Sequence, residues 1–316
     1  MKRKTTSIDI ITSAFNEEQC LPEFFIQINN VIKREKLYKF RLIVIDNGSF
    51  DSTWSIITAH AMSNKKIVGL KMSRNFVFDN ALSCGLDHAE SDAAIIMASD
   101  LQDPPEVIHQ FLRAYESGYN QVVAKVIKRE TVPLVRRILT SIFYKMAHKL
   151  TNRMIPEFVS DFRLLDKETY TAIRSMRERF RFLRGMSSWV GFKTFTIEII
   201  RPPRFGGKSK WLGSSLLFVI SRAIKNLLSF SSLPLSWVSR FSLLVLFSFP
   251  FFLILLISLS LKGSADFLNS SILITFGLIS YTTVMLSIGI IAQYVGLIYE
   301  EVKQRPIYII AEQINL

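Results

Sequence analysis

Between Ser99 and Glu106 the chain reads Ser-Asp-Leu-Gln-Asp-Pro-Pro-Glu, placing Asp100, Gln102 and Asp103 within four consecutive residues. Carboxylate and amide oxygens are hard ligands, suited to Mg²⁺ or Mn²⁺ carrying a diphosphate. The preceding run Ala93–Ala98 is short and wholly apolar, which reads as a buried strand, and Pro104-Pro105 open a helix at Glu106. The polar cluster therefore falls just past the carboxyl end of a strand, where open α/β sheets bind ligands. The same residues also suit a plain turn and cap, since an Asp before Pro-Pro-Glu is a good helix N-cap.

Four further strands accompany that one. Ser7–Ser13 reads as a buried strand leading into Phe15-Asn16-Glu17-Glu18, after which Leu21, Phe24, Phe25, Ile28, Val31 and Ile32 recur at helical spacing. Leu42–Ile45 is a second strand, ending in Asp46-Asn47-Gly48-Ser49, with Asp51 and Ser52 leading into a helix. Ile67–Met72 is a third, followed by Ser73-Arg74-Asn75-Phe76 and a helix over roughly 80–89, and Gln121–Val126 is a fifth after the opening one. Strands alternating with amphipathic helices predict βαβ units and a mainly parallel, Rossmann-like α/β sheet. The loops after strands one, two and four then gather on one edge, which carries Glu17, Asp46, Asn47, Asp51, Asp100, Gln102 and Asp103. Neither GxGxxG nor GxxxxGK[ST] occurs, so a dinucleotide fingerprint and a Walker loop are excluded. The sheet offers carboxylates instead, able to accept from ribose hydroxyls or a base N–H.

Charge and hydropathy divide the chain. Its 316 residues carry a net charge of +13. From Arg201 to Arg240 there are seven Lys or Arg and no acid. That placement, just ahead of the apolar segments, suits anionic headgroups and polyphosphates better than nucleic acid. Lys125–Arg153 holds eight Lys or Arg against one acid, Glu130; Arg137 and Ser141 share a helix face there and suit a phosphate, or the face is simply solvated. Asp161 and Arg163 place an acid and a base among apolar neighbours, catalytic or a structural ion pair. Arg204-Phe205-Gly206-Gly207-Lys208-Ser209-Lys210-Trp211 is a basic, glycine-hinged loop, fit to close over an anion or to act as a linker. Leu216–Leu228 has one apolar helical face beside Arg222 and Lys225, as an interfacial helix would. Phe241–Leu261 and Ile272–Ile298 run 21 and 27 residues without a charge. At 1.5 Å per residue each is long enough for a hydrocarbon core of about 30 Å. The cationic flanks put both ends inside. Cys20 and Cys84 make no framework or metal pair, and the apolar run after the basic N-terminus is too short for a signal peptide.

The motifs Phe15-Asn16-Glu17-Glu18, Asp46-Asn47-Gly48-Ser49, Ser73-Arg74-Asn75-Phe76, Asp100-Leu101-Gln102-Asp103-Pro104, Asp161-Phe162-Arg163-Leu164 and Gly207-Lys208-Ser209-Lys210 stand in the order and spacing of one family. The chain resembles family 2 glycosyltransferases of the polyprenyl-phosphate type, similar to dolichol-phosphate mannose synthases and, with two C-terminal spans, to bactoprenol-phosphate glucosyltransferases. The resemblance implies a GT-A domain over 1–200, a basic loop and interfacial helix over 201–239, two transmembrane helices within 240–299 and a cytoplasmic tail over 300–316. It implies inverting, metal-dependent transfer from a nucleotide sugar, a UDP-sugar favoured, to undecaprenyl or another polyprenyl phosphate at the cytoplasmic face of a bacterial inner membrane. The lipid-linked sugar would serve cell-surface glycan or lipopolysaccharide modification, and the assembly would be a homo-tetramer. Carried over by residue, Phe15, Glu17, Asp46 and Asp100 line the nucleotide site, Asp100 and Gln102 hold Mg²⁺ or Mn²⁺, and Arg129, Arg137, Ser141, Lys208, Ser209 and Lys210 meet the phosphates. Asp161, with Arg163, is the candidate catalytic carboxylate, read as orienting rather than as an obligate proton acceptor, because a phosphate monoester is mostly dianionic at neutral pH. The chain departs from the pattern at Ala98, where an Asp is usual, at Asn47, where a second acid is common, and at Val77-Phe78-Asp79, where Gly-Lys-Glu is usual. A catalytically degenerate membrane scaffold and a processive polysaccharide synthase are the alternatives.

Overall fold

The computed structural model describes residues 6–129, 159–207, 221, 224–225, 228–229, 231–261 and 266–316. The chain divides into two compact units, one of residues 1–219 and 305–316 and one of 220–304.

The first unit is built on eight strands: β1 (Thr6–Ala14), β2 (Tyr38–Asp46), β3 (Ile67–Met72), β4 (Ala93–Ile96), β5 (Gln121–Arg129), β6 (Val159–Asp166), β7 (Thr194–Arg201) and β8 (Ile310–Ile314). They form one sheet in the order β7-β5-β6-β4-β1-β2-β3-β8. The centre is parallel, β4-β1-β2-β3, with β1 the innermost strand. Ile8, Ile10, Ile11, Ile43, Val44 and Ile45 are fully buried, as expected of strands covered on both faces by helices. Those covers are α1 (Leu21–Arg34), α2 (Thr53–Ser63), α3 (Phe78–Asp87) and α4 (Val107–Glu116), joined on the far side by α5 (Lys167–Ser175) and α6 (Leu183–Trp189). In α1 the residues Leu21, Phe24, Phe25, Ile28 and Val31 are the buried ones, which is the spacing that its sequence presents.

The sheet is more mixed than the alternation of strands and helices suggests. β6 inserts between β4 and β5, antiparallel to both, and β7 then runs parallel to β5. β8, from the C-terminal tail, adds antiparallel to the outer edge of β3. The three antiparallel pairings arise where a strand returns to the sheet from a distant part of the chain, which local periodicity does not reveal.

The second unit contains α7 (Leu233–Leu261), with Pro250 inside it, and α8 (Asp266–Val302). Within them Leu233–Ile254 and Ile272–Val302 are long and apolar enough to cross a membrane. Phe252 of α7 stacks on Phe276 of α8 with ring centroids 4.0 Å apart, so the two form a hairpin. Phe247, Phe251 and Ile254 are 68%, 75% and 64% exposed, an apolar surface that water does not favour. The segment expected to be an interfacial helix lies mostly outside the described residues.

One glycine sets how closely α3 sits on the sheet. A Cβ at Gly85 would fall 2.3 Å from Ile11 Cγ2 and 2.9 Å from Ile45 Cδ1. Overpacking of that kind costs about 1–3 kcal/mol, against about 1 kcal/mol gained from helix propensity. Gly85→Ala is therefore expected to lower the melting temperature of the detergent-solubilised protein; an equal or higher value would mean that α3 can lift off β1 without cost.

Candidate active site

The ends of β1, β2 and β4 lie side by side, so the three loops that follow them share one edge of the sheet. The β1 loop and the β2 loop are tied directly. Asn16 N donates to Ser49 Oγ at 2.9 Å, Phe50 N to Asn16 Oδ1 at 2.8 Å and Glu17 N to Thr53 Oγ1 at 2.8 Å. Asn16 adopts φ 51°, a left-handed conformation that Asn tolerates and that turns its side chain back across the edge. Phe15 meets Phe50 edge-on at 6.2 Å, and Phe50 is 88% exposed.

Asp46, the last residue of β2, is fully buried. Its Oδ1 accepts from Ser49 N at 2.9 Å, while Oδ2 has no partner among the described residues. Burial raises the proton affinity of this carboxyl, opposed by the Ser49 hydrogen bonds and by Lys71. A buried acceptor without a donor costs about 1–3 kcal/mol, so Oδ2 is suited to an incoming N–H or hydroxyl.

The β4 loop is the acidic turn Ser99–Asp103. Leu101 sits at φ 60°, a conformation that a leucine seldom takes, and its side chain is buried in the core. Anchoring that residue inward leaves Asp100 and Gln102 on either side of it at the edge, both half-buried. Asp103 turns away: Oδ2 accepts from Ala98 N at 3.0 Å and Oδ1 from Arg201 Nη2 at 2.6 Å, and the residue is 1% exposed. The N-cap reading of Asp103 is thereby corrected, because α4 is preceded by Glu106 and has no side-chain cap. Both Asp103 oxygens are engaged, which leaves Asp100 and Gln102 as the donors at this turn. Burial, then Asp103, raises the proton affinity of Asp100, with the Gln102 N–H, Arg204 and Arg201 acting against them.

A divalent cation fits this donor set in one way. No group of three or more His, Cys, Asp or Glu side chains able to hold a metal occurs among the described residues. One carboxylate and one amide are what Mg²⁺-type sites use when substrate phosphates and water complete the shell. The residues therefore fit a metal that arrives with a diphosphate, not a resident metal held by protein alone.

Three arginines, of which only Arg204 falls in a loop read from the sequence as fit to close over an anion, neutralise the edge. Arg204 donates Nη2 to Glu17 Oε2 and brings Nη1 to 3.5 Å from Asp100 Oδ2. The residues after it follow: Phe205 N donates to Asp100 O at 3.3 Å, and Gly206 O accepts from Arg204 Nε at 2.6 Å and from Cys20 Sγ at 3.3 Å. Arg201 holds Asp103. Arg184 of α6 forks onto Asp161, with Nε to Oδ1 at 2.7 Å and Nη2 to Oδ2. Burial pushes the Asp161 carboxyl up, but Arg184, with Arg163 and Arg201 farther off, holds it down to about 2. The expected Asp161–Arg163 partnership of side chains is corrected accordingly. Arg163 is 1% exposed and donates Nε to the Asp161 backbone O, Nη1 to Ser187 Oγ and Nη2 to Ser160 O at 2.7 Å, so it braces β6 against α6. Arg129 ends β5, in register with Arg201 on β7. Arg137, Ser141, Lys208, Ser209 and Lys210 lie outside the described residues.

Residues 9–174 match the family model described as Glycosyl transferase family 2. The chain is 36% identical over 304 residues to the prophage bactoprenol glucosyl transferase homolog of Escherichia coli K12, covering 96% of this chain and 98% of that one. It is likewise 36% identical over 304 residues to the bactoprenol glucosyl transferase of Shigella phage SfII, covering 96% and 97%. Among solved structures, glucosyl-3-phosphoglycerate synthase from Mycobacterium tuberculosis in complex with Mn²⁺ and UDP-glucose superposes with a TM-score of 0.47 at 16% identity, over 72% of this chain and 79% of that one.

The Asp46–Ser49 turn depends on Gly48, whose φ is +75° and whose Cβ, if present, would lie 2.3 Å from the Arg74 carbonyl carbon. Gly118 also has positive φ, at +82°, but nothing within 4 Å. Gly118→Ala should cost only the roughly 1–2 kcal/mol of a left-handed residue. Gly48→Ala should cost visibly more, because backbone must move. Equal melting temperatures for the two variants would contradict the close approach of the two loops.

Proposed function

The chain belongs to glycosyl transferase family 2 and is a glycosyltransferase, and from that premise we propose that it transfers the sugar of a nucleotide-sugar donor, a UDP-sugar first among them, to the phosphate of a polyprenyl phosphate. The observation that carries this reading is the union in one chain of an acidic sheet edge with two helices of 29 and 37 residues that are too apolar for water. A soluble acceptor would need only the first. The names of the two bactoprenol-specific relatives, which the chain matches over nearly its whole length, support the same acceptor.

In this mechanism Asp46 Oδ2 accepts a base N–H or ribose hydroxyl, with Phe15 and Glu17 completing the nucleotide pocket. Asp100 and Gln102 hold a divalent cation, which when bound neutralises the leaving diphosphate. Arg204 lies against both Glu17 and Asp100, so the donor must share these carboxylates with the guanidinium or displace it. The acceptor phosphate, with a second pKa near 6, attacks the anomeric carbon without a strong base and inverts it. Alignment of two anions is the larger demand, and Arg129, Arg137, Ser141, Lys208, Ser209 and Lys210 are the residues assigned to it. Asp161, ionised far below neutrality, is a poor proton acceptor at the pH of the reaction. It serves as the anchor that fixes Arg184 beside the acceptor.

The two helices are read as membrane spans. After both, the chain returns to the sheet that it left, as β8 on β3, which requires an even number of crossings. With cationic residues at Arg201–Arg240, Lys303 and Arg305, that common side is assigned to the cytoplasm.

The decisive experiment incubates purified full-length protein with undecaprenyl phosphate and a panel of nucleotide sugars, and reads the lipid by mass spectrometry. One donor should give a glycosyl-phosphate lipid, EDTA should abolish it and Mn²⁺ or Mg²⁺ restore it. No product with any donor overturns the proposal. The pH profile gives a second check. Protonation of the acceptor to its monoanion should slow transfer below pH of about 6. Asp161 remains ionised until pH approaches about 2, so it contributes no limb between pH 5 and 8. Asp161→Asn should lower kcat by about tenfold through the loss of Arg184 positioning and leave the limb where it was; a displaced limb would make Asp161 the base.

A further inference from the structure

The C-terminal tail does more than cover a sheet edge. β8 pairs with β3 from Gly69 opposite Ile314 to Met72 opposite Ile310, with a register shift between Lys71 and Met72. Glu312 pins it on one side, accepting from Lys71 Nζ at 2.6 Å and Trp54 Nε1 at 3.0 Å. Asn315 pins its far end to Ala61 O and Ile67 O. Those contacts would suffice to close the edge.

The three residues ahead of the strand hold something else. Ile309 O accepts from Ser73 N at 3.0 Å, Ile307 O from Asn80 Nδ2 at 3.0 Å, and Tyr308 Oη donates to Asp87 Oδ2 at 2.8 Å. Ser73 opens the 73–77 loop that lies against the Asp46–Ser49 turn, Asn80 is in the first turn of α3, which continues that loop, and Asp87 is the last residue of α3. In that loop Phe76 N donates to Asn47 Oδ1 and Asn47 Nδ2 donates to Phe76 O, both at 2.8 Å, and Arg74 backs directly onto Gly48. This reciprocal pair also accounts for Asn47 where relatives often carry a second acid: a carboxylate can accept from Phe76 N but cannot donate to Phe76 O.

We propose that Ile307–Ile309 is a positioning element of the donor pocket, holding the 73–77 loop and the α3 helix that continues it against the Asp46–Ser49 turn, so that nucleotide affinity depends on residues beyond the last apolar helix. The inference rests on the reading of this edge as the nucleotide site. Its consequence is directional: loosening the segment weakens donor binding and leaves acceptor binding and the chemical step as they were, because none of the residues assigned to the acceptor or to the metal belongs to the 73–77 loop.

The test uses full-length protein in detergent and titrates it calorimetrically with UDP, GDP, CDP and ADP in the presence of Mn²⁺. Asn80→Ala combined with Tyr308→Phe removes the two side-chain ties, at the first turn and the last residue of α3, and leaves only the backbone bond at Ser73. Asn315→Ala removes bonds of the same tail at a place that does not reach the loop, and so controls for stability alone. The paired variant should bind the preferred nucleotide about fivefold more weakly, the loss expected for about one hydrogen bond's worth of positioning. Its donor KM should rise to match, with kcat and polyprenyl-phosphate KM unchanged, while Asn315→Ala binds like the parent even where its melting temperature falls. Equal affinity of parent and paired variant, or equal weakening by Asn315→Ala, overturns the proposal and leaves the donor-site reading standing. Failure of the parent to bind any of the four nucleotides overturns the donor-site reading itself.

Discussion

Burial of carboxylates at the edge of a sheet is the constraint from which the rest of this domain follows. Glu17, Asp46 and Asp103 are buried and Asp100 and Asp161 partly so, and ions so placed need partners or their charges become prohibitive. The chain supplies an arginine to most of them: Arg204 to Glu17 and Asp100, Arg201 to Asp103, Arg184 to Asp161. Two of the three arginines come from the end of β7 and the loop after it, and the third from α6. The antiparallel insertion of β6, which carries Asp161 toward this edge, and the parallel return of β7 beside β5 are what bring acids and arginines from opposite halves of the domain to one place. Asp46 is left with one oxygen unpaired among the described residues, and it is also the acid whose partner is assigned to a ligand.

The turns that carry these acids are held under local strain. Asn16 and Leu101 have positive φ, and Gly48 has the only side chain that its contact with Arg74 permits. Leu101 is the most informative of these. A leucine in the left-handed region gains nothing locally, so its conformation is maintained by burying its side chain in the core beneath the loop. Asp100 and Gln102 are thereby fixed in direction by packing, independent of any ligand. This is the preorganisation that the proposed metal site, with only two protein donors, would need.

Much of this was legible in the sequence, for a physical reason: parallel central strands are continuous apolar runs, and β1 to β4 announce themselves as such. The loops after them are legible too, because their acids stand where topology places ligand sites. What could not be read was every relation between distant segments. Asp103 looked like a helix cap, since a cap is a local event, whereas its actual partners are the Ala98 N–H and an arginine 98 positions away. Asp161 and Arg163 looked like a pair because they stand two residues apart, yet alternate residues of a strand share a face only by position; Arg184 has the reach and the fork that Asp161 engages. β8 was invisible because five residues of mixed polarity carry no periodic signal.

Charge balance bears on where two anionic substrates are met. Arg184, Arg201 and Arg204 are already engaged with the protein's own acids, so they do not by themselves offer the uncompensated positive charge that a diphosphate and a lipid phosphate require. The chain's excess lies elsewhere, in Lys125–Arg153 with eight Lys or Arg against one acid, and in the seven cations from Arg201 to Arg240 with none. Four of those seven, Lys208, Lys210, Arg222 and Lys225, have no carboxylate near them in sequence and immediately precede the apolar helices. Each cation held near an anionic membrane surface is worth about 1 kcal/mol of attraction. Under the proposed function the same stretch that would draw the domain to a bilayer is therefore the one with charge to spare for a phosphate at its surface, while the acidic edge would be left to grip the donor. On this proposed division of labour the two substrates would be distinguished by the sign of the protein surface that receives them.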